Sequence, residues 1–164
     1  MKILGIDPGY AIVGLGVIEY IGNTFKPIKY GKIETLANTP LQERLEIIYN
    51  FLNIWILDTK PDVVAIEQLF FNTNTKTAFS VAQARGVIIL ACQLNNIPIF
   101  EYTPLQVKQA VVGYGKAEKL QIQKMVKTLL KLDSIPKPDD IADALAVAIC
   151  HANNASSIAY SKYK

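Results

Sequence analysis

Residues 3–9 read ILGIDPG: a short apolar run that stops at an acid and a Pro-Gly pair. From Lys2 to Ile6 the run suits a buried strand, and Asp7-Pro8-Gly9 supplies the residues that turn a chain. The stretch therefore places a carboxylate, Asp7, at the carboxyl end of a core strand. Working outward, Val13 to Tyr20 and Pro27 to Ile33 read as two further strands, with a hairpin at Gly22-Asn23. Gly14 and Gly16 weaken the second strand but allow another backbone to approach closely. The chain thus opens as an antiparallel meander.

Beyond Pro40 the period changes. Leu41, Leu45, Ile48, Leu52 and Trp55 recur at helical spacing and predict a helix to about Leu57, with Pro40 suited to its first turn. Lys60-Pro61-Asp62 breaks it. Val63 to Ile66 is a short apolar strand closed by Glu67. A helix is expected from Thr75 to Leu94 and a strand from Ile97 to Tyr102. Thr103 is placed to cap a short helix with Pro104 at its first position, ending near Val111. Gly113-Tyr114-Gly115 forms a joint, and Lys116 to Leu132 carries a helical apolar stripe at Ile122, Met125, Val126 and Leu129. After a loop at Asp133 to Pro138, Asp139 begins a last helix to about Ala152. Hairpin strands followed by alternating helices and strands predict an α/β fold, a mixed five-stranded sheet flanked by helices. One domain is expected over 1–152, followed by a flexible tail over 153–164.

With 51% of residues apolar, disorder is excluded. No apolar stretch reads as long and uninterrupted enough to span a bilayer, and the first residues do not resemble a secretory leader. A cytoplasmic protein with no membrane partner is expected. Cys92 and Cys150 belong to no CxxC pair, which points to buried thiols rather than zinc or redox chemistry. The net charge of +3 says little. Its distribution says more: Lys108, Lys116, Lys119, Lys124, Lys127, Lys131 and Lys137 face only Glu118 and Asp133 in the same stretch. Such a segment either attracts phosphates or forms a solvated helix face.

Four acids carry the chemistry. Asp7 and Glu67 each end a predicted strand, and functional side chains gather at such ends in open α/β sheets. Asp140 and Asp143, three apart, share one face at the start of the last helix, where unpaired amides favour negative charge. Each has a plain alternative alone: a turn aspartate, a strand-ending polar residue, or a helix cap at Asp139 or Asp140. Together in one cleft they would repel each other, and a bound cation would remove the difficulty. Oxygen-only ligands suit magnesium, or manganese in its place. Two such ions about 4 Å apart are suited to phosphodiester hydrolysis.

The segments ILGIDPG, AIEQLFF, QARGV, FEYTPLQVKQAVVGYGKAEKLQIQKMV and DDIADALAVAICH, in that order, resemble those of the bacterial RuvC Holliday junction resolvases, from Ile3 to about His151. The resemblance implies a ribonuclease H-like fold and a symmetric homodimer. It implies paired nicks across a four-way DNA junction, leaving 5′-phosphate and 3′-hydroxyl ends, and a branch-migration helicase complex as partner. The metal-binding acids it implies are Asp7, Glu67, Asp140 and Asp143. Asp140 keeps the all-carboxylate form where some members carry histidine.

Phe70 matches a phenylalanine that the resemblance assigns to opening base pairs at the crossover; Phe71 has the weaker claim, and either ring could be core. Lys108 and Lys119 match basic residues for DNA handling, with Lys119 also suited to neutralising charge near the metals; Lys116 is a lesser candidate. Arg85 suits a salt bridge or a dimer contact as well as DNA. Asn72, Asn74 and Thr75 form a polar stretch suited to sugar, phosphate or helix capping. Tyr10, Tyr102 and Tyr114 carry no distinctive spacing. His151 lies too far along the helix from Asp143 to act as a base and reads as a helix-end residue. The helix from Thr75 to Leu94 is the candidate dimer surface. Three alternatives remain at this level: a ribonuclease H-like nuclease for RNA–DNA hybrids, a non-catalytic junction binder, and a nucleotide switch of the actin-like kind.

Overall fold

The computed structural model describes residues 1–69 and 75–161, with side chains except at 75–76 and 156–161. Phe70, Phe71, Asn72 and Asn74 lie outside the described residues.

The opening meander is β1 (Lys2–Asp7), β2 (Ile12–Ile21) and β3 (Thr24–Glu34). Gly22 and Asn23 turn β2 into β3, both with positive φ (52° and 64°). Such a pair matches the twist that a tight hairpin requires. Pro27 is tolerated because β3 is an edge strand, and the register slips opposite it, between Val17 and Ile18. Helix α1 (Leu41–Thr59) crosses to β4 (Val63–Glu67), and α2 (Thr75–Leu94) crosses to β5 (Ile99–Tyr102). The strand order is β3-β2-β1-β4-β5, antiparallel within the meander and parallel from β1 to β5. The expected mixed five-stranded sheet is therefore present.

Three helices follow. In α3 (Pro104–Val112) the Thr103 hydroxyl accepts from the Gln106 backbone N–H at 3.1 Å, and Gln106 Oε1 accepts from the Thr103 N–H at 2.8 Å. This reciprocal cap is the one the Thr-Pro pair foreshadowed. Helix α4 (Lys119–Leu129) is shorter than its stripe suggested, because the Gln121 side chain accepts from the Glu118 N–H and fixes the start there. Helix α5 runs Asp139–Ser161, past the boundary expected at 152. Asn153 donates to the Ala110 carbonyl and Asn154 to the Cys150 carbonyl, so these polar residues join the folded body instead of ending the helix.

The pleat divides the interior into two layers. On one face Leu4, Ile6, Val13, Leu15, Val17, Val64 and Ile66 pack under α1 and α2. On the other, Ile3, Ile18, Ala65 and Tyr102 pack under α3, α4 and α5. Each fully buried aliphatic side chain contributes roughly 1.5–3 kcal/mol. Two glycines let α5 press onto the second face. A Cβ at Gly5 would fall 2.0 Å from the Ala144 carbonyl oxygen, and one at Gly14 would fall 2.0 Å from that of Asp140.

One expectation needs correction. The segment Thr77–Leu94 of α2 does have the length and apolar composition to cross a bilayer, with Arg85 its lone charge. Ala84, Ile88, Ala91 and Cys92 use that apolar character to pack on the sheet.

Candidate active site

Asp7 and Glu67 end neighbouring parallel strands. The register pairs Ile6 with Ile66, so the two acids stand side by side one residue further on. Alternation along the strands puts both on the face covered by α5, together with Gly5 and Ala65. Asp7 also lies opposite Gly14 on β2. The bare Cα of Gly14 admits the backbone of Asp140, which brings the first turn of α5 over the ends of the strands. Asp143, one turn on, reaches a cleft of about 220 Å³ whose walls include Glu67, Lys108 and Lys119, with Val107 and Ile122 among its apolar lining. The adjacency that the sequence left open is thus settled by strand order, and the acids from both ends of the chain meet.

Their electrostatics reflect the meeting. Burial, then Glu67, Asp143 and Asp140 in turn, push the Asp7 carboxyl up to about 8, against a smaller opposing pull from Lys119. Burial and then Asp143 push Glu67 up to about 7, while Lys119 and Lys108 pull it down. Burial likewise raises Asp143, although Lys119 opposes this by hydrogen bonding. Such upward displacement is the mark of a site that concentrates negative charge away from water.

Lys119 heads α4 and answers part of that charge. Its ammonium lies 2.5 Å from Asp139 Oδ2 and 3.0 Å from Asp143 Oδ2. Partial burial opposes its ionisation, but the two hydrogen bonds outweigh this and hold its pKa above the usual lysine value. Asp139 is the residue the sequence undervalued. It looked like a cap adjacent to the functional pair, and it anchors the lysine instead. Only the position of α4 beside α5 reveals this.

Other candidates separate cleanly. Lys108 lines the cleft from α3. Lys116 is exposed in the turn before α4. Arg85 pairs with Glu101 of β5 at 2.8 Å, the salt bridge foreseen as one of its options. His151 is no helix-end residue: it sits inside α5, 2% exposed, with Nδ1 2.8 Å from the Tyr102 hydroxyl.

Among the described residues, no three His, Cys, Asp or Glu side chains are closed tightly enough to grip one ion. Lys119 bonds to Asp143 Oδ2 at 3.0 Å beside this arrangement. The donor set nevertheless fits a hard divalent cation. It consists of carboxylate oxygens at a place where burial, and then the neighbouring acids, already favour proton uptake.

Sheet order, strand-end acids and the capping helix together define a protein of the ribonuclease H-like fold class. A family model described as crossover junction endodeoxyribonuclease RuvC matches residues 3–151. The crossover junction endodeoxyribonuclease RuvC of Alkaliphilus oremlandii is 59% identical over 164 residues, covering 100% of both chains. A Thermus thermophilus RuvC structure superposes with a TM-score of 0.89 at 34% identity, covering 96% of each chain. A T. thermophilus RuvC in complex with Holliday junction substrate superposes with a TM-score of 0.87 at 32% identity, again over 96% of each chain. The chain belongs to the RuvC family of crossover junction endodeoxyribonucleases. As a member it is a magnesium-dependent endonuclease that resolves Holliday junctions in DNA recombination and repair.

Proposed function

We propose that Asp7, Glu67, Asp140 and Asp143 hold two magnesium ions, replaceable by manganese, and that this centre makes one of two symmetric nicks in a four-way DNA junction. The observation that carries the reading is the convergence of buried acids, with Asp7 pushed to about 8 and Glu67 to about 7. When bound, magnesium would neutralise the acids and supply the Lewis acidity that phosphodiester hydrolysis requires.

The chain's own residues divide the remaining work. Asp7 and Glu67 are fixed by the sheet, and Asp140 and Asp143 by the first two turns of α5. Lys108, from α3, is placed on the cleft wall to meet a backbone phosphate as a point charge. Lys119 holds Asp143 and Asp139 and stands at the same cleft, ready to offset phosphate charge. Val107 and Ile122 give the same cleft an apolar portion of its wall. Phe70, three residues beyond Glu67, is proposed to stack on an unpaired base near the crossover. Cleavage leaves 5′-phosphate and 3′-hydroxyl ends without a covalent enzyme intermediate.

A second copy supplies the second nick. The outward stripe of α2 carries Phe79, Leu90 and Leu94, 80%, 52% and 59% exposed, around Gly86, where a Cβ would meet nothing within 4 Å. Two such stripes are suited to pack closely against each other. A branch-migration helicase complex is the proposed larger partner. Cys92 and Cys150 are free and buried, which suits the reducing cytoplasm, the proposed place of action.

The test is cleavage of synthetic four-way junction, linear duplex and RNA–DNA hybrid with magnesium. Junctions should be cut far faster than the other two. Asp7→Asn should lose cutting by about a thousandfold or more while still binding junctions. Lys119→Ala should weaken junction binding and flatten its salt dependence. Normal cutting by Asp7→Asn would overturn the metal assignment.

A further inference from the structure

Helix α5 meets the sheet in two chemically different ways. Near its start the contact is steric, with Gly14 beneath Asp140 and Gly5 beneath Ala144 and Ala148. Bare glycines set how close a helix lies, but they exert little directional restraint on its sliding along its own axis. Two turns beyond Asp143 the contact is polar. The Tyr102 hydroxyl and His151 Nδ1 are 2.8 Å apart, at residues only 5% and 2% exposed. Phe100 packs on the same imidazole, with ring centroids 4.6 Å apart.

A polar pair within an apolar layer is strict about geometry, because losing one partner strands the other without water. Burial lowers the His151 pKa, so the imidazole is neutral at physiological pH. In the tautomer that carries its proton on Nε2, Nδ1 is the acceptor and the tyrosine hydroxyl the donor; in the other the roles reverse. Tyr102 is also the cross-strand partner of Glu67. One short path therefore runs from Glu67 across the sheet to Tyr102, over the hydrogen bond to His151, and back along α5 to Asp143.

We infer that the Tyr102–His151 hydrogen bond is an axial stop for α5, a positioning pair that sets Asp140 and Asp143 against Asp7 and Glu67. The inference rests on the reading of these acids as the magnesium site. Neither residue is assigned contact with substrate or ion. Their effect is transmitted by the helix, and a displacement of about 1 Å at reacting groups is enough to cost on the order of a hundredfold in rate.

Calorimetric titration of the DNA-free protein with manganese, cleavage over a range of magnesium concentrations, and thermal unfolding test it together. Tyr102→Phe keeps the ring and removes only the hydroxyl. It should bind manganese about tenfold more weakly and need about tenfold more magnesium for half-maximal cutting, the size of effect seen when outer partners of metal ligands are lost. Its KM for junctions should stay within about twofold. Ile88→Val, in the opposite core layer, serves as a control for lost stability alone and should leave both metal dependences unchanged. His151→Leu should match Tyr102→Phe, whereas His151→Gln, which retains an acceptor, should recover part of the manganese affinity. If both Tyr102→Phe and His151→Leu match Ile88→Val in metal dependence, the pair serves stability only and the inference fails. If His151→Gln and His151→Leu are equal, it fails likewise. If Asp7→Asn binds manganese as wild type does, the underlying metal-site reading fails instead.

Discussion

Asp7 sits where β1 ends, close to other acids, and a carboxylate there is comfortable only when its charge is answered. Without a cation its ionised form destabilises the fold. Asp7→Asn should therefore melt higher than wild type in chelator, by about 3 °C or more, while being inactive with magnesium. Differential scanning calorimetry with and without chelator checks this, and magnesium should narrow the gap by stabilising wild type alone. His151 has the opposite sense. Its folded pKa lies below the free value near 6.5, so in the window between the two the unfolded chain binds the extra proton. Stability attributable to this residue is then present above about pH 6.5 and lost as pH falls toward the folded value. Urea melts of wild type and His151→Gln between pH 8 and 5 should diverge in slope below about pH 6.5. Equal slopes would contradict the burial of a neutral imidazole. Asp7 and Glu67 titrate in the reverse direction in both proteins, so the difference isolates the histidine.

At the level of elements, the contact of α5 with β1 and β2 positions the acids, and it depends on missing side chains. Gly14→Ala would place a Cβ 2.0 Å from the Asp140 carbonyl oxygen, a backbone atom with nowhere to retreat. The helix must lift. A stability loss of about 1–3 kcal/mol is expected, as for other overpacked cores. Cleavage should fall further than that loss explains, measured at a temperature where the variant remains folded. Gly14 was noticed in the sequence as a place where backbones come close, but the sequence did not name the backbone that comes. The elements themselves were more legible. The 2-residue and 3.6-residue periods located the strands and helices, and Thr103-Pro104 located the start of α3. Shifts arose where side-chain hydrogen bonds override the apolar pattern, as Gln121 does at the start of α4 and Asn153 does along α5. Pairings across the fold were beyond reach for the same reason. Asp139 with Lys119, and Tyr102 with His151, join residues that no spacing rule connects.

Over the whole molecule, exposure on α2, like that of Phe51, Ile54 and Leu57 on α1, is not explained by a single copy. Phe79, Leu90 and Leu94 expose large apolar surface on one side of a helix whose other side is fully used. Leu90→Glu should convert a dimer to a monomer in gel filtration with light scattering. It should also uncouple the paired nicks on a junction in a plasmid, leaving singly nicked product. A dimer that persists unchanged would move the interface elsewhere. Asp7 and Glu67, by contrast, were readable from local sequence as acids that end strands, while Asp140 and Asp143 were singled out by their three-residue spacing near the start of α5 and by the family resemblance. The sheet order then brought them together.

The two-layered interior also separates two kinds of variation. The cleft belongs to the layer of α3, α4 and α5, and the bare stripe belongs to α2 on the far side of the same five strands. The residues proposed for self-association and those proposed for cutting thus lie on opposite faces of the sheet. Changes of each sort should combine with nearly additive energies, leaving natural drift or laboratory design free to retune one without rewriting the other.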